Sequence, residues 1–180
     1  MTWTGTGSIC MEDGKLNIRK MVLASLFASL MAVCAWISVP IPPVAATLQT
    51  FGVLMALGTL GGKWGTVSVF LYLAMGAAGL PVFAGFRGGA AALLDATGGF
   101  LWGFLAGGAV YRMTERLGKL PALVLCQLTV WFCGCLWFSC WAHCSMAAAA
   151  LTCAVPWLIP DGIKLFLAYR LSGRIAGQIK

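Results

Sequence analysis

The sequence predicts an all-α integral membrane protein with six transmembrane helices and cytoplasmic N- and C-termini. Three observations predict it. Of the 180 residues, 61% are hydrophobic and 9% charged, with a mean hydropathy of +0.91, where a soluble domain carries about 45–50% apolar and about 25% charged residues. The apolar residues gather in runs near the roughly 20 residues that a span requires. The basic residues gather on one side of the resulting alternation. Too little polar surface remains to cover a globule in water, so a cytosolic domain, a disordered chain and a nucleic-acid-binding module are excluded. Six spans with short loops also leave no room for a separate soluble domain.

Residues 1–20 carry Glu12, Asp13, Lys15, Arg19 and Lys20 without an apolar core. They read as a cytoplasmic tail and not as a secretory signal. Residues 21–180 read as one six-helix membrane-embedded domain. The first apolar segment covers residues 21–38 and stops at Val39-Pro40-Ile41-Pro42-Pro43, because proline lacks a backbone donor and biases the preceding residue away from helix. The second covers residues 44–60 and ends at Gly61-Gly62-Lys63. The third covers residues 64–80, up to Pro81, and is followed by the glycine-rich Gly85-Phe86-Arg87-Gly88-Gly89. The fourth covers residues 91–111; Asp95 and Gly98-Gly99 blur its start, which reads as a loop dipping into the protein. The fifth and sixth cover residues 121–141 and 147–171.

Orientation follows from lysine and arginine. With the N-terminus inside, the inner side receives Lys15, Arg19, Lys20, Lys63, Arg112, Arg116, Lys119, Arg170, Arg174 and Lys180, out of 12 basic residues. The outer loops receive Arg87, and Lys164 falls within segment six. This asymmetry favours an even number of spans and a multi-pass protein of a bacterial inner (plasma) membrane.

Several motifs fail on inspection. Gly58-Thr59-Leu60-Gly61-Gly62-Lys63-Trp64 approaches a phosphate loop, but its spacing is one residue short and tryptophan replaces the hydroxyl that would hold magnesium. His143 is the single histidine, so no catalytic triad forms around it, and no paired acids suit general acid–base work. Of the eight cysteines, six lie in apolar runs, where a thiol behaves as a small hydrophobe. Cys133-Gly134-Cys135 and His143-Cys144 lack zinc-site spacing. No catalytic residue, no metal site and no enzyme are expected.

The chemistry is expected where ionisable groups enter the membrane at a cost of roughly 2.5–3.5 kcal/mol each. Asp161 and Lys164 share a helix face three residues apart. At ~1.5 Å per residue, Lys164 lies about 9 Å and Asp161 about 13–14 Å above the inner end at Arg170. Pro160 and Gly162 loosen the helix there. A structural ion pair is the alternative to a ligand site. Arg87 suits bidentate capture of a carboxylate or simple solvation on its loop, with Asp95 as a candidate partner. Gln49 and Thr47 suit hydrogen bonds to a ligand amide, capping or interhelical bonding. Small residues at four-residue spacing (Gly99, Gly103 and Gly107; Ala24, Ala28 and Ala32) allow either close packing within the chain or docking of another subunit.

Four stretches, taken in order, resemble the signatures of the BioY family, the biotin-binding S components of energy-coupling factor (ECF) transporters. They are Val39-Pro40-Ile41-Pro42-Pro43-Val44 with Thr47-Leu48-Gln49-Thr50-Phe51; Gly79-Leu80-Pro81-Val82-Phe83-Ala84-Gly85; Thr97-Gly98-Gly99-Phe100 with Gly103-Phe104; and Ile159-Pro160-Asp161-Gly162-Ile163-Lys164. Together they reach across residues 20–175. One departure is Asp95-Ala96, where the family usually has Gly-Pro before Thr-Gly-Gly.

The resemblance implies a high-affinity biotin site open to the outside. Its partners would be a T component and two ABC-type ATPases, and ATP would be used by those partners while this chain carries no cofactor. It implies that Asp161 and Lys164 contact the substrate, and that Ala24, Ala28 and Ala32 dock on the T component. With the residue chemistry above, the expected substrate-binding set is Asp161, Lys164, Arg87, Gln49, Thr47, Phe83 and Gly85, with Phe83 and Trp102 burying the thioether ring. An S component for another vitamin, such as thiamine or riboflavin, and a solitary biotin carrier working without ATPases are the alternatives.

Overall fold

A computed structural model describes residues 6–39 and 46–179, with side chains described from residue 18 to residue 39 and from residue 47 to residue 178. The elements in chain order are α1 (Thr6–Trp36), β1 (Ser38–Val39), β2 (Ala46–Thr47), α2 (Gln49–Ala77), α3 (Ala90–Leu94), α4 (Gly98–Thr114), α5 (Lys119–Ala142), α6 (Met146–Cys153) and α7 (Leu158–Ile179). Among the described residues, four helical stretches are long and apolar enough to cross a membrane: residues 18–36, 49–77, 119–142 and 146–178. Helix α1 also runs back through most of the expected tail. The proline break at residues 40–43 and the start of the second segment lie outside the described residues.

Helix α2 is not one rod. Gly61 has φ 78° and ψ 174°, a left-handed backbone that glycine alone adopts cheaply. A Cβ on Gly65 would lie 2.7 Å from the Leu57 Cα, whereas eight residues of continuous helix separate two positions by about 12 Å. The chain therefore doubles back at Gly61, and residues 49–60 and 62–77 form an antiparallel helical hairpin. Glu115 locks this reversal by accepting from the Gly62 N–H at 2.7 Å.

The hairpin lies centrally, with α1, α4 and α7 packed on it and α5 packed on α4. Glycines set the closeness of the α4–α5 contact. A Cβ at Gly99 would meet the Trp137 Cβ at 2.1 Å, and one at Gly103 the Val130 Cα at 3.2 Å. The α4 glycines thus serve packing within the chain. The alanines of α1 do the same: Ala24, Ala28 and Ala32 are 0%, 1% and 6% exposed. The outward face of α1 presents Val22, Leu26, Leu30 and Val33, while Phe27 and Met31 turn into the bundle beside the alanines.

The outside of the bundle carries Phe70, Phe132 and Phe166 in the open, an apolar exterior that suits lipid. Segment four divides at Asp95 into α3 and α4. Segment six divides into α6 and α7 around a 3₁₀ turn at Val155–Trp157. Pro160, expected to loosen a helix, instead lies in the first turn of α7, where its missing N–H removes no hydrogen bond. The seven described cysteines are all free thiols.

Candidate functional site

One cavity of about 290 Å³ opens among α2, the residue 83–97 loop, α4, α5 and the start of α7, near the lower end of the ~300–1,000 Å³ typical of small-molecule pockets. Its inner end is built on Asp161. The Lys164 ammonium donates to Asp161 Oδ1 at 2.8 Å and to the Thr47 carbonyl at 2.7 Å. On the other oxygen, Asp161 Oδ2 accepts from Gln127 Nε2 at 3.1 Å and from Trp131 Nε1 at 3.0 Å. Asp161 is 6% exposed and stands in the first turn of α7, where the helix dipole favours a negative charge.

Local structure explains this convergence. The β1–β2 ladder pairs Ser38 with Thr47, and the Leu48 N–H donates to the Ile37 carbonyl at 3.0 Å. This folds the segment after α1 back so that its Thr47 carbonyl faces Lys164. Gln127 and Trp131 are one turn apart on α5 and share a face, so both reach the same carboxylate oxygen. Gln127 and Trp131 are the residues that sequence reasoning missed. A lone glutamine inside an apolar run was the available signal, with a tryptophan four residues on.

The mouth is built on Arg87. Its guanidinium pairs with Asp95 and also donates to Thr97 Oγ1 at 3.4 Å and to the Ala84 carbonyl at 3.3 Å. The Ala96 N–H holds the Asp95 carboxyl below its usual range; partial burial opposes this, and the Arg87 guanidinium adds to it. Trp137 Nε1 donates to the Asp95 carbonyl at 2.9 Å. The Asp95-Ala96 departure is thereby absorbed into an ion pair at the rim.

Phe83 forms an apolar wall. Its ring sits where a Gly76 Cβ would be, edge-on to Tyr72 at 5.6 Å, and the Tyr72 hydroxyl donates to the Val82 carbonyl at 3.0 Å.

The cavity therefore brings together Thr47, Gln49, Phe83, Arg87, Asp161 and Lys164. Gly85 is not on its lining. With φ 69° it turns the loop so that its neighbours Ala84 and Arg87 reach the cavity. Trp102 also stands apart, exposed on the outside of α4 and donating to the Leu93 carbonyl at 3.3 Å. No group of three or more metal-ligating side chains occurs among the described residues.

Three buried polar atoms of cavity-lining residues have no partner among the described residues: Gln49 Nε2, Gln127 Oε1 and Trp157 Nε1. Buried polar groups are nearly always paired, so unmet donors and an unmet acceptor at one cavity mark a polar guest.

An apolar-sheathed helical bundle with a small cavity, charged at its base and at its rim, has the make-up of a multi-pass membrane protein with room for a small solute. The BioY family model matches residues 11–180, and the chain belongs to that family. It is 34% identical over 171 residues to a probable biotin transporter BioY of Pyrococcus horikoshii, covering 91% of this chain and 99% of that one. It is 48% identical over 93 residues to the biotin transporter BioY of Thermotoga maritima, covering 52% of this chain and 55% of that relative. The chain thus spans about half the length of the latter. A crystal structure of the S-component for biotin from an ECF-type ABC transporter superposes with a TM-score of 0.82 at 25% identity, over 96% of this chain and 94% of that one. The two relatives are named as biotin transporters and the solved structure as a transport S-component, and this chain is a multi-pass membrane protein of their family.

Proposed function

We propose that this chain is the high-affinity biotin-binding S component of an ECF-type transporter, taking biotin from outside and delivering it inward with a T component and two ABC-type ATPases. The observation that carries the proposal is the buried Asp161–Lys164 couple at the base of a cavity that also holds unmet amide atoms. Family membership and the S-component likeness support it. The six-crossing topology with cytoplasmic termini belongs to the same proposal. The reversal at Gly61 supplies the second and third crossings, and the cavity lies at the end opposite Lys63, Arg112 and Arg116, the outer end by the lysine and arginine rule.

Biotin carries a ureido ring with two N–H donors and one carbonyl, an apolar thioether ring and a carboxylate on a flexible arm. In this reading the ureido ring lies at the Asp161–Lys164 base and the thioether ring packs on Phe83. The carboxylate pairs with Arg87 at the mouth, where exchange from Asp95 to the ligand keeps the guanidinium charge-paired throughout. Charge-assisted bonds contribute about 1.5–3 kcal/mol each, and buried apolar area adds about 25 cal/mol per Å². Nanomolar binding needs about 12 kcal/mol, within reach of two or three such bonds and a largely enclosed ligand.

The test is calorimetry of the purified chain with biotin, thiamine and riboflavin in parallel. Nanomolar binding of biotin alone is expected, and tight binding of another vitamin with none of biotin would overturn the assignment. Uptake in cells with and without the T component and ATPases tests the assembly. Transport without them would make the chain a solitary carrier.

A further inference from the structure

We propose that Gln127 selects the ligand by accepting a ring N–H at its Oε1, and that Asp161 acts on that N–H through Gln127. The inference rests on the reading that the cavity binds a cyclic urea. It begins with the occupancy of Asp161. A carboxylate has about four lone-pair sites, and the protein already directs three donors at this one: Lys164 Nζ at Oδ1, and Gln127 Nε2 and Trp131 Nε1 at Oδ2. The carboxylate is largely consumed in organising its neighbours.

Gln127 is organised most strictly. An ionised carboxylate only accepts, so the Gln127 amide must present its NH₂ to Asp161, and its Oε1 is turned away from that carboxylate. That oxygen is buried and has no partner among the described residues, in a residue only 4% exposed that lines the cavity. Among the described cavity-lining residues, the other unmet buried side-chain atoms, Gln49 Nε2 and Trp157 Nε1, are donors. Lys164 and Trp131 also only donate. Gln127 Oε1 is therefore the unmet buried side-chain acceptor of this cavity, and a ligand N–H is the group that satisfies it. The bond from Nε2 to a carboxylate polarises the amide and strengthens Oε1 as an acceptor. The order Lys164–Asp161–Gln127–ligand is thus a chain of mutually reinforcing bonds. A ligand with an ester, ether or N-alkyl group at that point leaves the acceptor unmet.

The experiment measures affinities of the purified full-length chain for biotin and for its two singly N-methylated ureido derivatives, in the wild type, Gln127→Leu, Gln127→Met and Trp131→Phe. In the wild type, methylation of one ureido nitrogen should weaken binding about 10–100-fold, the scale of one lost bond that leaves a buried acceptor unmet. In Gln127→Leu, biotin should weaken by a similar factor and the penalty for that methylation should vanish. Gln127→Met, nearly equal in length, gives the same reading if the leucine variant does not fold. Trp131→Phe removes the other Oδ2 donor but no acceptor, and should keep the discrimination intact. Full discrimination between biotin and both derivatives in Gln127→Leu or Gln127→Met would overturn the inference while leaving biotin binding standing. Failure of the wild type to bind biotin would overturn both.

Discussion

Asp161 and Lys164 form a 2.8 Å ion pair within one turn of α7, with side chains 8% and 13% exposed, and each also holds a different part of the fold. Lys164 fixes the Thr47 carbonyl from the segment after α1, and Asp161 fixes Gln127 and Trp131 of α5. The pair is therefore both the floor of the cavity and the bond between α5 and α7.

Removing either member leaves the other charged and buried without its partner, a change that costs about 3–5 kcal/mol when a buried pair is broken. Asp161→Asn and Lys164→Ala should each lower biotin affinity by at least about 100-fold and lower the unfolding temperature. Calorimetry and thermal unfolding in detergent check this. Full affinity in both variants would remove the pair from the site.

The α1 alanines give a sharper expectation than sequence alone allowed. Ala28→Leu inserts three carbons where the native side chain is only 1% exposed, and such overpacking costs typically about 1–3 kcal/mol. Biotin retention and thermal stability should fall together with uptake. A variant that binds biotin normally but fails only in uptake would return this position to partner docking.

Two glycines should behave oppositely. Gly99→Ala drives a methyl against Trp137 at 2.1 Å and should destabilise the α4–α5 contact by about 2 kcal/mol or more. Gly162→Ala meets open space on a helix and should raise stability by about 0.5–1 kcal/mol. Comparison of their melting temperatures with the wild type decides both.

The rim ion pair sets a pH dependence. The Asp95 carboxyl is held below its usual range, first by the Ala96 N–H and also by the Arg87 guanidinium. A depressed carboxylate contributes stability that is fully present above its unfolded value, about 3.9, and lost as pH falls through the lower folded value. The stability difference between the wild type and Asp95→Asn should be flat from pH 8 to pH 5 and shrink only below about pH 4. Thermal unfolding across that range measures it, and a difference that shrinks already at pH 6 would contradict the assignment.

Much of the fold was legible because its signals are local. Apolar runs mark spans, Gly61-Gly62 marks a reversal, and Asp95 marks a break before α4. Other features were not legible. Pro160 reads as a helix breaker on spacing alone, but the chain turns earlier, at Val155–Trp157, which places this proline where it is harmless. The alanine stripe on α1 has one appearance in sequence and two possible roles, and only the packing of α1 on α2 separates them.

At the site, the ion pair was legible because its members are three residues apart and charged where charge is costly. Gln127 was not, because its significance depends on Asp161, 34 residues away. Thr47 was legible as a polar group near the outer end. That its backbone carbonyl, 117 residues from Lys164, is the part that engages the lysine was not.

Sequence by itself determined that this chain lives in a membrane, that it breaks at Gly61 and at Asp95, and which charges lie among apolar residues, since hydropathy and local backbone preference act over a few neighbouring residues. Tertiary structure alone decided which faces of the helices meet. A helix turns its side chains by about 100° per residue, so the rotation of each helix against its neighbours determines whether a glutamine meets lipid or a carboxylate. That rotation made one cavity from Thr47, Phe83, Arg87, Gln127 and Asp161.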